Sequence, residues 1–151
     1  MPIPPPSRKV LSTFKPVKVS SGSYKHAQRL VDDCFKSRWG TELEDLTEEQ
    51  ADNQWVEIDL QRWAHVRQLF LVWDVWARMQ KVESRVLLSD DAQNWRPVTQ
   101  RRQAEPAYGI IDLEDAEGRY VRLELKKRAR RDAVYMIKGI QVLGDWMDEQ
   151  P

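Results

Sequence analysis

The chain is poor in the residues that carry covalent and metal chemistry. Its 151 residues include one cysteine, Cys34, and two histidines, His26 and His65. A single thiol excludes an internal disulfide and any zinc site built on several cysteines, and two imidazoles do not suggest a histidine-rich metalloenzyme. Net charge is missing as well, because 24 Lys and Arg balance 24 Asp and Glu. A neutral chain has no electrostatic case for wrapping DNA or for polybasic membrane anchoring. No stretch approaches the roughly 18 uninterrupted apolar residues of a transmembrane segment. The opening Met1–Lys9 is proline-rich without an apolar run, so no secretory signal is expected within this chain. Nucleophile-elbow, P-loop and zinc-protease patterns do not occur. The pairs Asp90-Asp91 and Glu48-Glu49 fall in turn-like segments, with no reason to face each other across a cleft as two hydrolytic carboxyls must.

What the chain does have is a 41% apolar fraction and seven tryptophans at a mean hydropathy of -0.68. That composition suits one soluble globular module of a single domain's length. Met1–Pro6 reads as a polyproline-like leader. Lys15–Ser20 alternates apolar and polar residues before the turn Ser21-Gly22-Ser23. His26–Asp33 suits a short helical turn. Thr41–Asn53 is acidic and reads as a long loop with at most one helical turn, capped at Thr47 ahead of Gln50. Beyond it the pattern is strand-like. Gln54–Leu60 puts Trp55, Glu57 and Asp59 on one side and Val56, Ile58 and Leu60 on the other. Val66–Trp73 suits a strand buried on both faces. Arg85–Ser89, Gly109–Leu113, Arg119–Lys126 and Ile140–Leu143 complete the series. Many short strands at spacings of about 10 to 20 residues predict an all-β antiparallel sandwich of about eight strands. The expected division is a leader and first edge segment over 1–14, the sandwich over 15–144, and an acidic tail over 145–151.

Several segments, in order, resemble the discoidin or coagulation factor 5/8 type C family. This galactose-binding-like jelly roll includes many carbohydrate-binding modules. A K-P-V-x-x-S-S opening is matched by Lys15-Pro16-Val17-Lys18-Val19-Ser20-Ser21. The next motif is matched at Ala27, Asp32, Ser37 and Trp39, and Q-W-x-x-x-D-L by Gln54-Trp55 to Asp59-Leu60. Then come Val72-Trp73-Asp74, the turn Ser89-Asp90-Asp91 to Trp95, the strand Arg119-Tyr120-Val121-Arg122, and the ending Tyr135–Gly144. Three of the family's glycines are replaced, by Asp33, Gln61 and Ala92. Such glycines usually serve positive φ, so these turns must differ or carry strain. A glutamate of the last motif is Gly139.

The resemblance implies a structural Ca²⁺ in the turn holding Asp32 and Ser37, with backbone carbonyls completing six to eight oxygen ligands. Losing a carboxylate at Gly139 removes a charged donor, while Asp33 adds one nearby. The alternative is that Asp32 and Ser37 simply hydrogen-bond the turn.

The resemblance also implies a glycan site on loops at one end of the sandwich. The segments 37–45, 74–84 and 127–135 should approach that end. Sugar recognition needs an aromatic platform with a few polar groups for the hydroxyls. Trp76 is the candidate platform, Arg78 the candidate bidentate donor, and Asp74 and Glu42 candidate acceptors. The run Lys126-Lys127-Arg128-Ala129-Arg130-Arg131 is either a solvated strand end or a grip on an acidic sugar, with Arg128, Arg130 and Arg131 as its ligands. The run has no interleaved aromatics, so nucleic acid is not an expected partner. Trp39, Trp55, Trp73 and Trp95 fall on family positions and are expected in the core. Trp63 and His65 should pack partly buried, Trp146 should cap the sandwich end or touch a partner, and Cys34 should be unreactive.

The sequence therefore predicts a non-catalytic carbohydrate-binding module for a glycan or polysaccharide, attached to a larger enzyme or cell-surface protein. Localisation would be extracellular or cell-surface if that larger protein is secreted, and is otherwise undetermined. The alternative is a protein–protein interaction domain of the same fold that has lost sugar binding. A third reading is anionic-lipid binding through 126–131.

Overall fold

In the computed structural model the described residues are 9–21, 24–36, 38–40, 47, 49–50, 53–73, 82–103, 108–127 and 136–149. They form nine strands: β1 (Lys9–Val10), β2 (Val17–Val19), β3 (Trp39–Gly40), β4 (Gln54–Trp73), β5 (Val82–Ser89), β6 (Trp95–Pro97), β7 (Arg102–Gln103), β8 (Tyr108–Lys127) and β9 (Met136–Trp146). The expected helical turn is present as α1 (Tyr24–Ala27), continued by a 3₁₀ turn over Gln28–Val31. Every strand pairing is antiparallel, as predicted. Among the described residues no helix is long and apolar enough to cross a membrane.

Two segments predicted as separate strands on each side of a break are continuous. Gln54–Leu60 and Val66–Trp73 join as β4, and Gly109–Leu113 and Arg119–Lys126 join as β8. Their mutual ladder is interrupted between Asp59 and Ala64, where both strands pass from one layer to the other. The first halves of β4 and second half of β8 pair with β2 and β5. The other halves pair with each other and, through β4, with β9. The core is the seam between these layers. Val56, Ile58 and Leu60 of β4, Val121, Leu123 and Leu125 of β8, and Val82, Val86 and Leu88 of β5 share one buried cluster with Leu69, Leu71, Trp73, Ile137, Ile140 and Val142. Strict alternation over Gln54–Leu60 follows from one face meeting that seam and the other meeting solvent.

The apolar run of β4 is buried on both faces for a specific reason. Phe70 points away from Leu69 and Leu71, yet is 1% exposed. It lies edge-on beneath Phe35 at 5.9 Å and beside Tyr108 at 6.3 Å between ring centroids. Gly144 is required where β9 crosses the bulge of β4, since any Cβ there would overlap the carbonyl of His65.

Candidate functional site

The strand register fixes one set of chain ends. Gly40 pairs with Met136, Trp73 with Ile137, Val72 with Tyr108, and Val82 with Lys127. Gln54, which starts β4, pairs with Leu125 two residues before β8 ends. In this register Gln54, Val82 and Lys127 lie at one end of the β4–β8 ladder and Gly40, Trp73 and Tyr108 at the opposite end. The eight-residue segments 74–81 and 128–135 each connect the two, so the bent strands bring these ends within about 30 Å of each other. Strand β1 meets Gly144 beside the bend. The predicted glycan ligands Glu42, Asp74, Trp76, Arg78, Arg128, Arg130 and Arg131 lie outside the described residues, as does Ser37.

The described part of the ladder end at Gln54 is organised by that residue. Its side chain is 3% exposed and its hydrogen bonds are taken up. The Oε1 accepts from the hydroxyls of Ser20 at 2.8 Å and Ser21 at 2.6 Å, and the Nε2 donates to the carbonyl of Gln50 at 2.6 Å. The Ser20 hydroxyl in turn accepts from the Trp55 backbone N–H at 2.8 Å. Ser-Ser of the first motif and Gln-Trp of the third are thus two halves of one joint. The expected cap is a reciprocal capping box, with Thr47 N–H donating to Gln50 Oε1 at 3.0 Å and Gln50 N–H donating to Thr47 Oγ1 at 3.1 Å. Against this joint lies an open groove of about 490 Å³ lined by Ser20, Glu49, Gln50, Asn53, Gln54 and Trp55.

Two tryptophans expected in the core are not there. Trp39 and Trp73 are buried at 0% and 3% exposure. Trp55 and Trp95 instead stand half-buried on the outer face of the β4–β8–β5–β6 layer. The Arg122 guanidinium lies 4.7 Å from the Trp55 ring and 4.4 Å from that of Trp95. Its Nη2 donates to Glu57 at 2.8 Å. On the same face Arg85 pairs with Glu124 at 2.6 Å. On this outer face the Arg122 side chain keeps 21% exposure and its Nη2 holds Glu57, while its Nε is buried between the rings without a hydrogen-bond partner.

At the far end, Trp146 closes the sandwich as one of its two expected roles required. It is 8% exposed, with the Arg62 guanidinium 4.5 Å and the Lys15 ammonium 5.4 Å from its ring. Trp63 is more exposed than a packing role predicts, at 42%, whereas His65 is half-buried.

The remaining motifs are also joints. Asp59 accepts from Arg119 Nε at 2.9 Å and Nη2 at 3.0 Å, and from the Gln61 N–H at 2.8 Å. Burial alone would raise the Asp59 carboxyl, but the Arg119 and Gln61 hydrogen bonds and the charges of Arg119 and Lys15 outweigh it and hold the pKa below the ordinary value. Asp91 Oδ1 accepts from the backbone N–H groups of Asn94 at 2.8 Å and Gln93 at 2.9 Å. Those bonds, with the Asn94 amide and Ser89 hydroxyl, hold its carboxyl far below the usual carboxylate range.

In the turn that resembles a calcium site, Ser37 lies outside the described residues and the carboxylates of Asp32 and Asp33 have protein partners. The Asp32 carboxylate accepts from the Cys34 N–H at 2.9 Å. Asp33 accepts from the Thr13 hydroxyl at 2.5 Å and the Gln141 amide at 3.3 Å. Over Gly139, where the family carries a glutamate, sits the ring of Phe35. Among the described residues no group of three or more His, Cys, Asp or Glu converges on a point.

With this geometry established, the comparisons are informative. The model of the NedA-like galactose-binding domain, of the F5/8 type C kind, matches residues 29–123. No curated protein matches the chain. Among solved structures, chitosan-binding module 1 from a chitosanase/glucanase of Paenibacillus sp. IK-5 superposes with a TM-score of 0.72 at 21% identity, covering 90% of this chain and 99% of that one. A fucose-binding module of Streptococcus pneumoniae gives 0.67 at 19%, covering 89% and 96%. A carbohydrate-binding module of AlyQ, in complex with 4,5-unsaturated mannuronic acid, gives 0.65 at 14%, covering 83% and 92%. These neighbours share the β-sandwich fold.

Proposed function

Because the chain belongs to the NedA-like galactose-binding domain family, we propose that it is a non-catalytic carbohydrate-binding module. It takes a glycan on the loop end of its sandwich. The observation that carries this reading is how the strand ends are linked. Gly40, Trp73, Val82 and Lys127 are the strand ends bordering the segments that bear Glu42, Asp74, Trp76, Arg78, Arg128, Arg130 and Arg131. The eight-residue links 74–81 and 128–135 keep those ends within about 30 Å, which supports a common loop end. Neighbours of this fold are modules for chitosan, fucose and unsaturated mannuronic acid, which supports a saccharide as the ligand class.

The finer reading is an acidic sugar. Lys127 ends the described part of a run with five cations in six positions, 126–131, which supports attraction to a uronate or sulfate group. Attachment to a larger enzyme or cell-surface protein makes weak single-site binding useful by raising effective concentration.

The test is binding to a panel of neutral and acidic polysaccharides by the whole chain. One bound class, lost on Trp76→Ala with the fold intact, supports the module and its platform. Selective loss of acidic ligands on replacing Arg128, Arg130 and Arg131 with Ser supports the acidic reading. A blank panel from folded protein overturns both and favours a protein-interaction domain.

A further inference from the structure

We propose that the groove beside Trp55 is a separate pyranose subsite, and that it selects an amino sugar over an acidic one. The proposal rests on the reading of the chain as a carbohydrate-binding module, but not on the loop residues invoked for it. The groove holds about 490 Å³, within the range of small-ligand clefts. Its wall includes Trp55, which is half-buried and braced by the Arg122 guanidinium at 4.7 Å. A braced indole presents apolar surface without losing rotamer freedom on binding, as a sugar's C–H face requires.

The polar side of the groove is arranged around it. Gln54 and Ser20 are consumed by the joint and provide rigidity rather than contacts. Asn53 uses its Nδ2 on the Glu49 carbonyl at 2.7 Å, which leaves Oδ1 to accept. Gln50 uses its Oε1 in the capping box, which leaves Nε2 to donate. The Glu49 carboxylate is exposed, and among the described residues that line the groove there is no cation. The Arg122 charge on the other side of Trp55 is already paired with Glu57. An aromatic wall, one amide donor, one amide acceptor and a carboxylate with no cation beside it among the described residues fit a hexose ring bearing an ammonium group. They disfavour a uronate, whose carboxylate would face Glu49.

The experiment is a titration of the isotope-labelled full chain with a glucosamine trisaccharide, its N-acetylated form and a galacturonate trisaccharide, followed by amide and indole signals. The glucosamine trisaccharide should move the signals of Asn53, Gln54 and the Trp55 indole, and the galacturonate should not. Glu49→Gln, an exposed change that spares the joint, should weaken the glucosamine trisaccharide about tenfold and the N-acetylated one little. Silent groove signals with all three sugars, beside a positive polysaccharide panel, overturn the subsite and leave the module reading standing. A galacturonate response at Trp55, or equal weakening of both glucosamine sugars by Glu49→Gln, overturns the selectivity. Groove shifts with a blank panel would support the subsite and count against the loop-end site instead.

Discussion

The ring of Phe35 occupies the space over Gly139 into which any Cβ at that position would project. The pairing links a turn to the middle of β9, and Phe35 also meets Phe70 edge-on. The Phe35 ring thus ties the turn to β9 and β4 through apolar contact. Gly139→Ala should destabilise the chain by about 1–3 kcal/mol through overpacking. In a Phe35→Ala background the same change should cost far less, because the ring it strikes is gone. Chemical denaturation of the four proteins gives the coupling directly. Equal costs in both backgrounds would mean that Phe35 does not fill the site.

Calcium dependence follows the same geometry. With Asp33 engaged by Thr13 and Gln141 and a ring over Gly139, the melting temperature should be unchanged by a chelator or by millimolar Ca²⁺. A ligand specific to the native state at a hundred times its dissociation constant would add about 2.7 kcal/mol, a shift readily seen in a thermal melt.

The three replaced glycines test a different point. Asp33, Gln61 and Ala92 retain φ of 58°, 65° and 63°, so the turns kept the glycine conformation and carry the strain. A left-handed non-glycine residue costs about 1–2 kcal/mol, part of which glycine returns as unfolded-state entropy. Ala92→Gly and Gln61→Gly should each stabilise by about 0.5–1 kcal/mol, or a few degrees in melting temperature. Asp33→Gly should not, since it also removes the hydrogen bonds from Thr13 and Gln141. Lower stability for Ala92→Gly would show that the turn gains something from its methyl group.

How far the sequence speaks depends on the length scale of each feature. Alternation over Gln54–Leu60 and the apolar run after it mark true strands, because a half-buried strand must repeat every two residues. It also places Trp55 with Glu57 and Asp59, on the outer face where the structure has it. Reading Trp55 and Trp95 as core by family position overrode that local signal and was wrong. The continuity of β4 was hidden because Gln61 bends the chain through a positive φ, and that of β8 because Gly118, opposite Ala64 at the same bend, reads as a turn. The groove was hidden for another reason. Ser20 and Glu49–Trp55 are joined by the hydrogen bonds of Gln54 and of the Trp55 backbone, which no periodicity reveals.

Asp59 makes the acid limb of stability predictable. Its folded pKa lies below the ordinary 3.8, so the unfolded chain takes up a proton first as pH falls. The carboxylate's contribution is therefore complete above that value and disappears as pH drops through the folded pKa. Because the Arg119 side chain is 41% exposed, the pair is worth about 1 kcal/mol or less. Asp59→Asn should cost that amount near neutrality, and the difference from the natural protein should vanish once pH has fallen through the folded pKa, which lies below the ordinary value. A difference that persists unchanged at low pH would assign it to packing rather than to charge.

Arg122 is the last test, and it separates a planar cation from a point charge. Its guanidinium lies near both Trp55 and Trp95, and its Nη2 holds Glu57 at 2.8 Å. The two side chains of that pair are 21% and 12% exposed, so solvent screens it weakly. Arg122→Lys keeps the charge but loses the flat surface that two indoles can face. It should cost about 1–2 kcal/mol, with near-ultraviolet dichroism changing as Trp55 and Trp95 lose their spacer. Removing the charge with Arg122→Met should cost more, because Glu57 is left unpaired. Adding Glu57→Gln should recover part of that loss. If the lysine protein matches the original in stability and dichroism, the indoles contribute nothing beyond what a simple ion pair with Glu57 supplies.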